Sequence, residues 1–400
     1  MLENECTRRP WVAYVGPFSF PEGGAAARRI LGVSKALVDK GYNVAILAGQ
    51  INGNGSRLEQ YLPGIFYGSM QERSAEHLPR AIKLARYVLM GRKTRIWLKK
   101  LDAKPDAVIL YSGYSPYLFQ FTSWCRARNI PIVFDAVEWY TAEDIIQFLR
   151  SPYLWNIEFA MRILIKRLDG VIAISSYLRD YYEKANLPVA LVPPTLEMGT
   201  IDPRLTVATA QKLSLAYCGS PGTKDLLSEV IEAVLEIDDS GQQLVLHVAG
   251  PEIADVMGLA PLAPWKGKGP PGALTIHGRV SHDESMDIVR NADFSVFLRN
   301  RNRASTAGFP TKFVESLALG TPVITNISSD LCEYLTEGNT GYICSTTSSD
   351  GLQNVLKKAM LTGIKQRSTM RQASRKLAEL SFDCNRFSDT ICSLIQRPDS

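Results

Sequence analysis

The sequence has few residues of the kinds that build disulfide frameworks and metal sites. Its seven cysteines are scattered from Cys6 to Cys392 without a C-x-x-C pair, and its four histidines lack metal-ligand spacing. An odd number of separated cysteines is typical of a reduced chain with buried thiols. No run reaches the length of about eighteen apolar residues that a membrane span needs, and the N-terminus lacks the apolar core of a signal peptide. We therefore expect a cytoplasmic protein.

The loop after the first predicted strand also lacks the motif of a dinucleotide site. In the first loop, Gly16 and the pair Gly23 and Gly24 do not fit G-x-G-x-x-G, and G-x-x-x-x-G-K-[ST] occurs nowhere in the chain. A dinucleotide cofactor and ATP therefore lose their main support. D-x-D is also missing, so we expect neither a cofactor nor a metal ion.

The composition is that of a globular protein with more than one domain. A chain of 400 residues is long for one core and sufficient for two. Hydrophobic residues make up 46% and charged residues 21%, which indicates a well-packed fold rather than disorder. The net charge of +5 is small for this length, so the protein as a whole is not a polyanion binder.

The stretch most informative about function is 307–325, with the sequence AGFPTKFVESLALGTPVIT. Pro310 presets the first turn of a helix, and Gly320 supplies the left-handed residue that ends it. The apolar residues 322–325 then predict a strand. The unpaired N–H groups at the start of such a helix favour an anion.

Three polar side chains of this stretch suit a nucleotide sugar. Thr311 and Lys312 stand beside the predicted anion, and Glu315, one turn further, can accept hydroxyl protons from a sugar ring. A helix N-terminus, a cation and a carboxylate at this spacing together predict a nucleotide-sugar site.

The same stretch resembles a family signature. The pair Gly308 and Phe309, followed by Glu315-Ser-Leu-Ala-Leu-Gly-Thr-Pro-Val-Ile, is similar to E-G-F-G-x-x-x-x-E-A-x-A-x-G-x-P-V of the retaining GT-B glycosyltransferases of family 4. The resemblance implies that Glu315 holds the ribose and that the loop from Gly308 through Pro310 holds the diphosphate and donor sugar. Two positions depart from the signature, because Ala307 replaces its first glutamate and Pro310 its second glycine.

Two further segments of the second half resemble donor-binding segments of the family. After a predicted strand over 213–218, Gly219 and Lys224 match a glycine and a lysine that neutralises the diphosphate, while Ser220 stands where an arginine is usual. The segment His277, Gly278, Arg279 resembles the one that holds the nucleobase, and Arg279 is expected to stack on the base or lie near phosphate.

The first half begins with a strand, a glycine loop, a helix and a second strand, which is the opening unit of a doubly wound sheet. Gly23 and Gly24 match paired glycines that, in the family, let the backbone approach the donor; a plain tight turn is the alternative. A strand is predicted over 131–135; Asp135 ends it and Glu138 follows, at the edge where open sheets place ligands. We expect them to be carboxylates on the acceptor side, with capping of the next helix as the alternative.

Residues 80–104 form a basic amphipathic stretch with nine lysines and arginines. Such a stretch suits the anionic face of a cytoplasmic membrane. An ordinary solvated helix is the alternative. We expect no nucleic-acid binding, since no recognised motif surrounds these charges.

The resemblance implies an α/β GT-B fold with two Rossmann-like, doubly wound parallel-sheet domains facing a central cleft. Residues 1–195 would form the acceptor-side domain and 196–380 the nucleotide-sugar donor domain. Residues 381–400 would form a C-terminal helix that crosses back to the first domain.

The implied function is metal-independent, retaining transfer of a hexose from a UDP-type or GDP-type sugar to a glycan or lipid-linked acceptor, in surface polysaccharide biosynthesis. Lys224, Lys312 and Glu315 would act on the leaving nucleoside diphosphate. Two alternatives stay open. The replacement at Ala307 allows a non-catalytic GT-B protein that binds a partner, and the same fold allows a nucleotide-sugar epimerase, which needs no acceptor.

Overall fold

The computed structural model describes residues 2–50, 57–73, 79–140, 142, 145–206, 212–222 and 224–396. They form two compact units, one of residues up to Thr195 and from Cys384 on, the other Leu196–Asp383. Within the described residues, no helix is both long and apolar enough to cross a membrane.

The first unit is built on an eight-stranded sheet in the order β3-β4-β2-β1-β5-β6-β7-β8, parallel except for β3. Every residue of the inner strands β1 and β2 is buried, because helices cover both faces of the sheet. These strands are therefore largely apolar and do not alternate between apolar and polar residues. The strands are β1 Trp11–Gly16, β2 Asn43–Ala48, β3 Glu59–Leu62, β4 Ile65–Ser69, β5 Ala107–Tyr111, β6 Ile132–Ala136, β7 Gly170–Ala173 and β8 Val189–Leu191.

The helices of the first unit connect these strands. The predicted basic stretch folds as two helices, because Gly91 adopts a left-handed φ of 84° between them. The helices are α1 Leu2–Cys6, α2 Gly24–Asp39, α3 Arg80–Val88, α4 Arg92–Lys99, α5 Ser115–Arg126, α6 Ile145–Arg150, α7 Pro152–Phe159 and α8 Ser176–Glu183, with a π turn Ala160–Leu164 and a 3-10 turn Ile165–Arg167.

The second unit has a six-stranded, fully parallel sheet in the order β11-β10-β9-β12-β13-β14. Its strands are β9 Leu213–Cys218, β10 Leu244–Ala249, β11 Leu274–Gly278, β12 Phe294–Val296, β13 Val323–Asn326 and β14 Gly341–Cys344. Its helices are α9 Leu227–Ile237, α10 Ile253–Met257, α11 His282–Asn291, α12 Arg303–Ala307, α13 Thr311–Ala318, α14 Ser349–Met360 and α15 Ile364–Ser381. Its 3-10 turns are Met198–Thr200, Ala260–Trp265 and Ser329–Glu333.

The chain enters and leaves the second unit side by side. The N–H of Leu196 donates to the carbonyl of Phe382 at 2.9 Å, and Leu196 forms a bridge with Asp383. Beyond Asp383, a 3-10 turn Cys384–Phe387 leads to the last helix, α16 Ser388–Ile395. Its buried Ile391 and Ile395 join the core that α2 shares with the first sheet.

Each sheet has one point at which the strand order reverses. In the first sheet, β2 lies on one side of β1 and β5 lies on its other side. In the second sheet, β10 and β12 lie on opposite sides of β9 in the same way. Loops that leave neighbouring strands in opposite directions open a crevice at their carboxyl ends, which is where doubly wound sheets bind ligands. The two crevices are therefore the places to look for a site.

Candidate functional site

In the second unit, residues 307–325 fold as predicted, with a helix followed by a strand. Helix α13 begins after Pro310, and Gly320 has a φ of 75° just beyond its end. A side chain at Gly320 would meet the carbonyl of Arg204 at 3.1 Å, so a residue without a β-carbon is required for both reasons. Strand β13 follows after Gly320, and since a helix that precedes a parallel strand runs back along the sheet, the start of α13 lies at the carboxyl edge, where the crevice is.

The side chain of Phe309 lies in the core rather than in the crevice. It is 6% exposed, and its ring lies 5.8 to 6.3 Å from those of Phe313, Tyr334 and Phe382. Buried aromatic contacts of this kind anchor the loop. Phe309 can therefore offer a ligand its backbone, while its ring fixes the loop that starts α13.

Lys312 extends from the first turn of α13 toward the end of β9. Its ammonium donates to Asp225 and lies 3.9 Å from the ring centre of Tyr217. Its chain passes directly over Gly219, where an added β-carbon would stand 3.0 Å from Lys312 Cε. The lysine thus lies where the loop after β9 and the start of α13 meet.

Asp225 joins a second cation to this lysine. Arg299, which follows β12, has Nε 3.6 Å from Asp225 Oδ1, and the two residues form an isolated bridge. Asn326 fixes the backbone of Arg299 by accepting its N–H at 2.8 Å and donating to its carbonyl at 3.0 Å. The Tyr217 hydroxyl donates to Asp225 Oδ2 at 2.9 Å. We call Asp225, Lys312, Arg299 and Tyr217 the buried charge cluster.

Burial changes the pKa of two members of the cluster, Lys312 and Tyr217. It lowers the pKa of Lys312, and the neighbouring Asp225 carboxylate opposes that effect. Burial also raises the pKa of Tyr217 well above its usual range, with Asp225 acting in the same direction. The phenol therefore stays neutral and can donate its proton in a hydrogen bond to Asp225.

Three glycines line the ends of β9, β10 and β11. Gly219, Gly250 and Gly278 have φ values of 114°, 114° and 69°. Gly219 donates to Ala249, and Gly250 donates to the carbonyl of Gly278 at 2.8 Å. Because a β-carbon on Gly250 would lie 2.8 Å from the carbonyl carbon of Gly219, these loop backbones pack closely, and the chain of Lys312 lies over Gly219. A ligand can approach the backbone here.

The other predicted donor residues lie in different surroundings. Lys224 is next to Asp225 in the same loop, and its carbonyl accepts the N–H of Asn300 at 2.9 Å. Ser220 is exposed, and His277 Nε2 lies 3.2 Å from His247 Nδ1. Arg279, with a side chain 80% exposed, pairs with Glu252 at 2.8 Å.

Glu315 and Thr311 are half-buried on α13, and Glu315 follows Lys312 by three residues, so it lies on the same face of the helix. The structure thus brings Lys312, Glu315, Gly219 and Lys224 to one crevice. Arg279 lies on the surface beside Glu252, away from the buried charge cluster.

The crevice of the first unit holds a cavity of about 490 Å³. It opens at the carboxyl ends of β1, β5 and β6, where that strand order reverses. Aromatic side chains supply much of its wall, among which stand one arginine and two glutamates: Phe18, Tyr111, Tyr114, Phe134, Tyr140, Tyr153, Arg73, Glu22 and Glu138. We call this space the tyrosine cavity.

The predicted glycine pair lies at this cavity. Gly23 lines it, and a β-carbon on Gly23 would stand 2.0 Å from the carbonyl oxygen of Ser19, so the turn requires glycine. Gly24, with a φ of 58°, begins α2. The pair therefore forms the turn that brings α2 to the cavity wall.

The structure places the two predicted acceptor-side carboxylates in different environments. Glu138 lines the tyrosine cavity, and its charge contributes to the raised pKa of Tyr140, which burial dominates. Asp135 is fully buried, accepts from Tyr14, and forms an ion pair with Arg29 at 2.9 Å. Asp135 therefore contacts the core instead of the cavity.

Sequence reasoning missed Asp225, Arg299 as its partner, and the tyrosines of the cavity. Asp225 is 87 residues from Lys312 in the chain, and no local period joins them. Their positions at strand ends were the one available signal of a site: Tyr111 ends β5, and Asp225 lies in the loop after β9. Among the described residues, no three His, Cys, Asp or Glu side chains are grouped as a metal site would require.

Two family descriptions match the chain. Residues 211–377 match the family described as glycosyl transferases group 1, and 23–197 match glycosyltransferase family 4. The first match contains the buried charge cluster, and the second contains most of the lining of the tyrosine cavity, without Phe18 and Glu22. A sequence comparison with curated proteins gave no match.

Solved structures of GT-B glycosyltransferases share the fold at low identity. Sucrose-phosphate synthase from Thermosynechococcus elongatus superposes with a TM-score of 0.72 at 15% identity, covering 97% of this chain and 98% of its own. WaaG, a glycosyltransferase involved in lipopolysaccharide biosynthesis, gives 0.67 at 17%, covering 97% and 100%. HepE of Anabaena, in complex with UDP-glucose, gives 0.62 at 13%, covering 96% and 98%.

Proposed function

The chain belongs to the group 1, family 4 glycosyltransferases, and from this premise we propose that it moves a hexose from a nucleotide-diphosphate sugar of the UDP or GDP type to a glycan or lipid-linked acceptor. The transfer retains the anomeric configuration, needs no metal, and belongs to surface polysaccharide biosynthesis. WaaG, which shares the fold, is involved in lipopolysaccharide biosynthesis. The seven free cysteines fit a cytoplasmic enzyme.

The observation that carries the donor proposal is the position of Lys312. Its ammonium lies at the start of α13, over Gly219, in the crevice where the order of the second sheet reverses. A diphosphate placed there would meet a cation, the positive end of a helix and open backbone N–H groups. These groups stabilise the charge that develops on the leaving nucleoside diphosphate without a metal.

Lys224 and Glu315 complete the donor site. Lys224, in the loop after β9, supplies a second cation on the diphosphate. Glu315, one turn into α13, accepts the ribose hydroxyls. HepE was solved with UDP-glucose, which fits a sugar nucleotide as ligand of this fold.

The tyrosine cavity is the proposed acceptor site. Rings of Tyr111, Tyr140 and Tyr153 offer the flat apolar faces on which sugar rings pack, and their hydroxyls offer hydrogen bonds. Glu138 accepts from sugar hydroxyls in the same space. A volume of about 490 Å³ suits one or two sugar residues.

The experiment that tests the donor proposal is calorimetric titration of UDP, GDP and their hexose conjugates, with and without magnesium. The parent should bind one nucleotide class selectively, and Glu315→Ala should weaken that binding by about 1 to 3 kcal/mol, since it leaves the ribose hydroxyls unpaired. Glu337→Ala, an exposed carboxylate of the same unit, is the matched control and should bind like the parent. The absence of nucleotide binding by the parent under both conditions would refute the proposal.

We also propose that the first unit contacts an anionic membrane. Helices α3 and α4 present exposed lysines and arginines, and Leu84 and Val88 are 61% and 60% exposed beside them. Trp155 and Phe159 of α7 add apolar surface, at 48% and 41% exposure. Ring contacts from Tyr87 through Tyr114 to Tyr153 connect α3 to α7 at the cavity wall, so a lipid-borne sugar would reach the cavity from this surface.

Vesicle co-sedimentation tests the membrane contact. The parent should sediment with vesicles rich in phosphatidylglycerol and stay in solution with phosphatidylcholine alone. Lys99→Glu with Lys100→Glu should reduce sedimentation roughly tenfold or more, at about 1 kcal/mol per charge near the surface. Lys357→Glu in the second unit, also exposed, serves as the control. Equal sedimentation of all three proteins would exclude the basic helices as the contact.

A further inference from the structure

The buried charge cluster contains one more positive charge than negative. Asp225 is its single carboxylate, and it stands between Lys312 and Arg299. The side chains of Asp225, Lys312 and Arg299 are 8%, 18% and 5% exposed. Burying a charge is unfavourable unless an opposite charge lies nearby. The cluster therefore favours the arrival of a further anion.

The direction of Lys312 depends on Asp225. A lysine has four rotatable bonds and a point charge, so its ammonium stays in one place only when a partner holds it. Here Asp225 binds it from the loop after β9, and the Tyr217 ring supports it from β9 itself. The same carboxylate is fixed on its other side by the Tyr217 hydroxyl and by Arg299.

We propose that Asp225 is a positioning residue for the donor diphosphate: its carboxylate holds the Lys312 ammonium over Gly219, where the loop after β9 meets the start of α13. This inference rests on the proposed donor site and goes beyond it. It assigns the position and the charge of Lys312 to Asp225, a residue that contacts the lysine and not the donor. An arriving phosphate oxygen shares Lys312 with Asp225. It thereby supplies the second negative charge that the cluster lacks.

The charged groups around Lys312 determine how its proton responds to pH. Asp225 and Arg299 face it from the loops after β9 and β12, Tyr217 and Cys218 from β9, and Glu315 lies on its own helix. Burial and Arg299 favour loss of the proton, while Asp225 favours its retention. Removing the Asp225 carboxylate therefore lowers the pKa of Lys312 further, because burial and Arg299 are no longer opposed. Lys312 then becomes neutral at a lower pH.

The test is the affinity for UDP, or for GDP if the parent binds that nucleotide, measured from pH 7 to pH 9.5. The phosphates are ionised across this range, and the ring N–H of uracil or guanine that titrates at its alkaline end is common to all variants, so the difference between variant and parent reports the protein. The parent should keep its affinity to a higher pH than Asp225→Asn, because its carboxylate favours retention of the Lys312 proton. Asp225→Asn should lose affinity as the pH rises within the range, approaching tenfold per pH unit above the new pKa of Lys312.

A rescue variant separates positioning from folding. Arginine does not titrate below about pH 12, so Lys312→Arg combined with Asp225→Asn should remove the pH dependence. Asp293→Asn changes another buried carboxylate of this unit, paired with Arg367 at 3.3 Å, and should keep the parent profile. Asp225→Glu keeps the charge and moves the carboxylate by one methylene, so it should weaken nucleotide binding several-fold at every pH without a new alkaline loss.

The outcomes divide clearly. An Asp225→Asn protein that folds and follows the parent profile would overturn the inference and leave the donor site intact. If Asp225→Asn does not fold, Asp225→Glu decides, since parent-like affinity there would refute positioning. A parent that binds no nucleotide at any pH would overturn the proposed function and this inference together.

Discussion

Replacing Asp135 by asparagine tests whether that carboxylate stabilises the first unit or serves an acceptor. The Arg29 and Asp135 side chains are 2% and 0% exposed, and their ion pair connects α2 to the end of β6. The same guanidinium donates to the carbonyls of Val192 and Pro193 at 2.6 and 2.7 Å. The substitution keeps the shape of the side chain and leaves Arg29 charged and buried without its anion.

The magnitude follows from that burial. Removing one partner of a buried ion pair costs about 3 to 5 kcal/mol, because the remaining charge stays desolvated. The unfolding temperature of a unit of this size falls by about 2 to 4 °C per kcal/mol, so Asp135→Asn should lower that of the first unit by roughly 6 to 20 °C. Glu337→Gln is the control, since its pair with Lys358 is exposed at 43% and 57% and contributes about 0 to 1 kcal/mol.

Scanning calorimetry measures both variants. A first unit that unfolds within about 2 °C of the parent in Asp135→Asn would refute the reasoning. Unchanged stability with a raised KM for the acceptor would restore the acceptor role that the sequence suggested. We expect the opposite pattern, with reduced stability and an acceptor KM close to that of the parent in the folded fraction.

Three further predictions concern single residues. Asp238 accepts hydrogen bonds from the Ser240 hydroxyl and from the N–H groups of Gln243, Leu244 and Gly241; burial acts to raise its pKa, but these hydrogen bonds lower it from 3.8 to about 2. The stabilising effect of the ionised Asp238 is therefore present above about pH 4 and lost as the pH falls through 2. In urea unfolding, Asp238→Asn should lower the free energy of unfolding by about 1.5 to 3 kcal/mol at pH 7, and by progressively less toward pH 2. Gly219→Ala should weaken nucleotide binding at least tenfold in calorimetry, because its φ of 114° strains alanine and the new methyl group meets Lys312, whereas Gly199→Ala, in open space, should not. Glu138→Gln should raise the acceptor KM roughly 5-fold to 30-fold, which corresponds to about 1 to 2 kcal/mol, with unchanged nucleotide affinity. An unchanged KM would show that Glu138 does not belong to the acceptor site.

Local patterns of the sequence predict much of the fold. The apolar run before Gly219 predicts β9 with its observed bounds, and Gly320 follows α13 in the predicted left-handed conformation. These features depend on neighbours in the chain. Strand β3 was not predicted, because Glu59–Leu62 has little apolar content and pairs at the edge of its sheet.

The site was less predictable, since its side chains choose partners across the fold. Phe309 belongs to a motif that resembles a donor loop, yet its ring packs in the core. Arg279 follows a strand end as predicted, and it pairs with Glu252 on the surface. The period of a strand or helix fixes which face a residue occupies, but it does not fix which charge lies opposite.

The two crevices differ in their linings, and this difference is the physical basis for assigning them different ligands. The crevice of the second sheet has glycines with positive φ and a cluster with excess positive charge, which favour a phosphate close to the backbone. The crevice of the first sheet is lined by tyrosines with Glu138 among them, which favour the alternating apolar and hydroxyl surfaces of a sugar. An exchange of the two roles would place a dianionic diphosphate beside Glu138 and Glu22, where repulsion opposes binding, and would leave the excess positive charge of the buried charge cluster without a second anion.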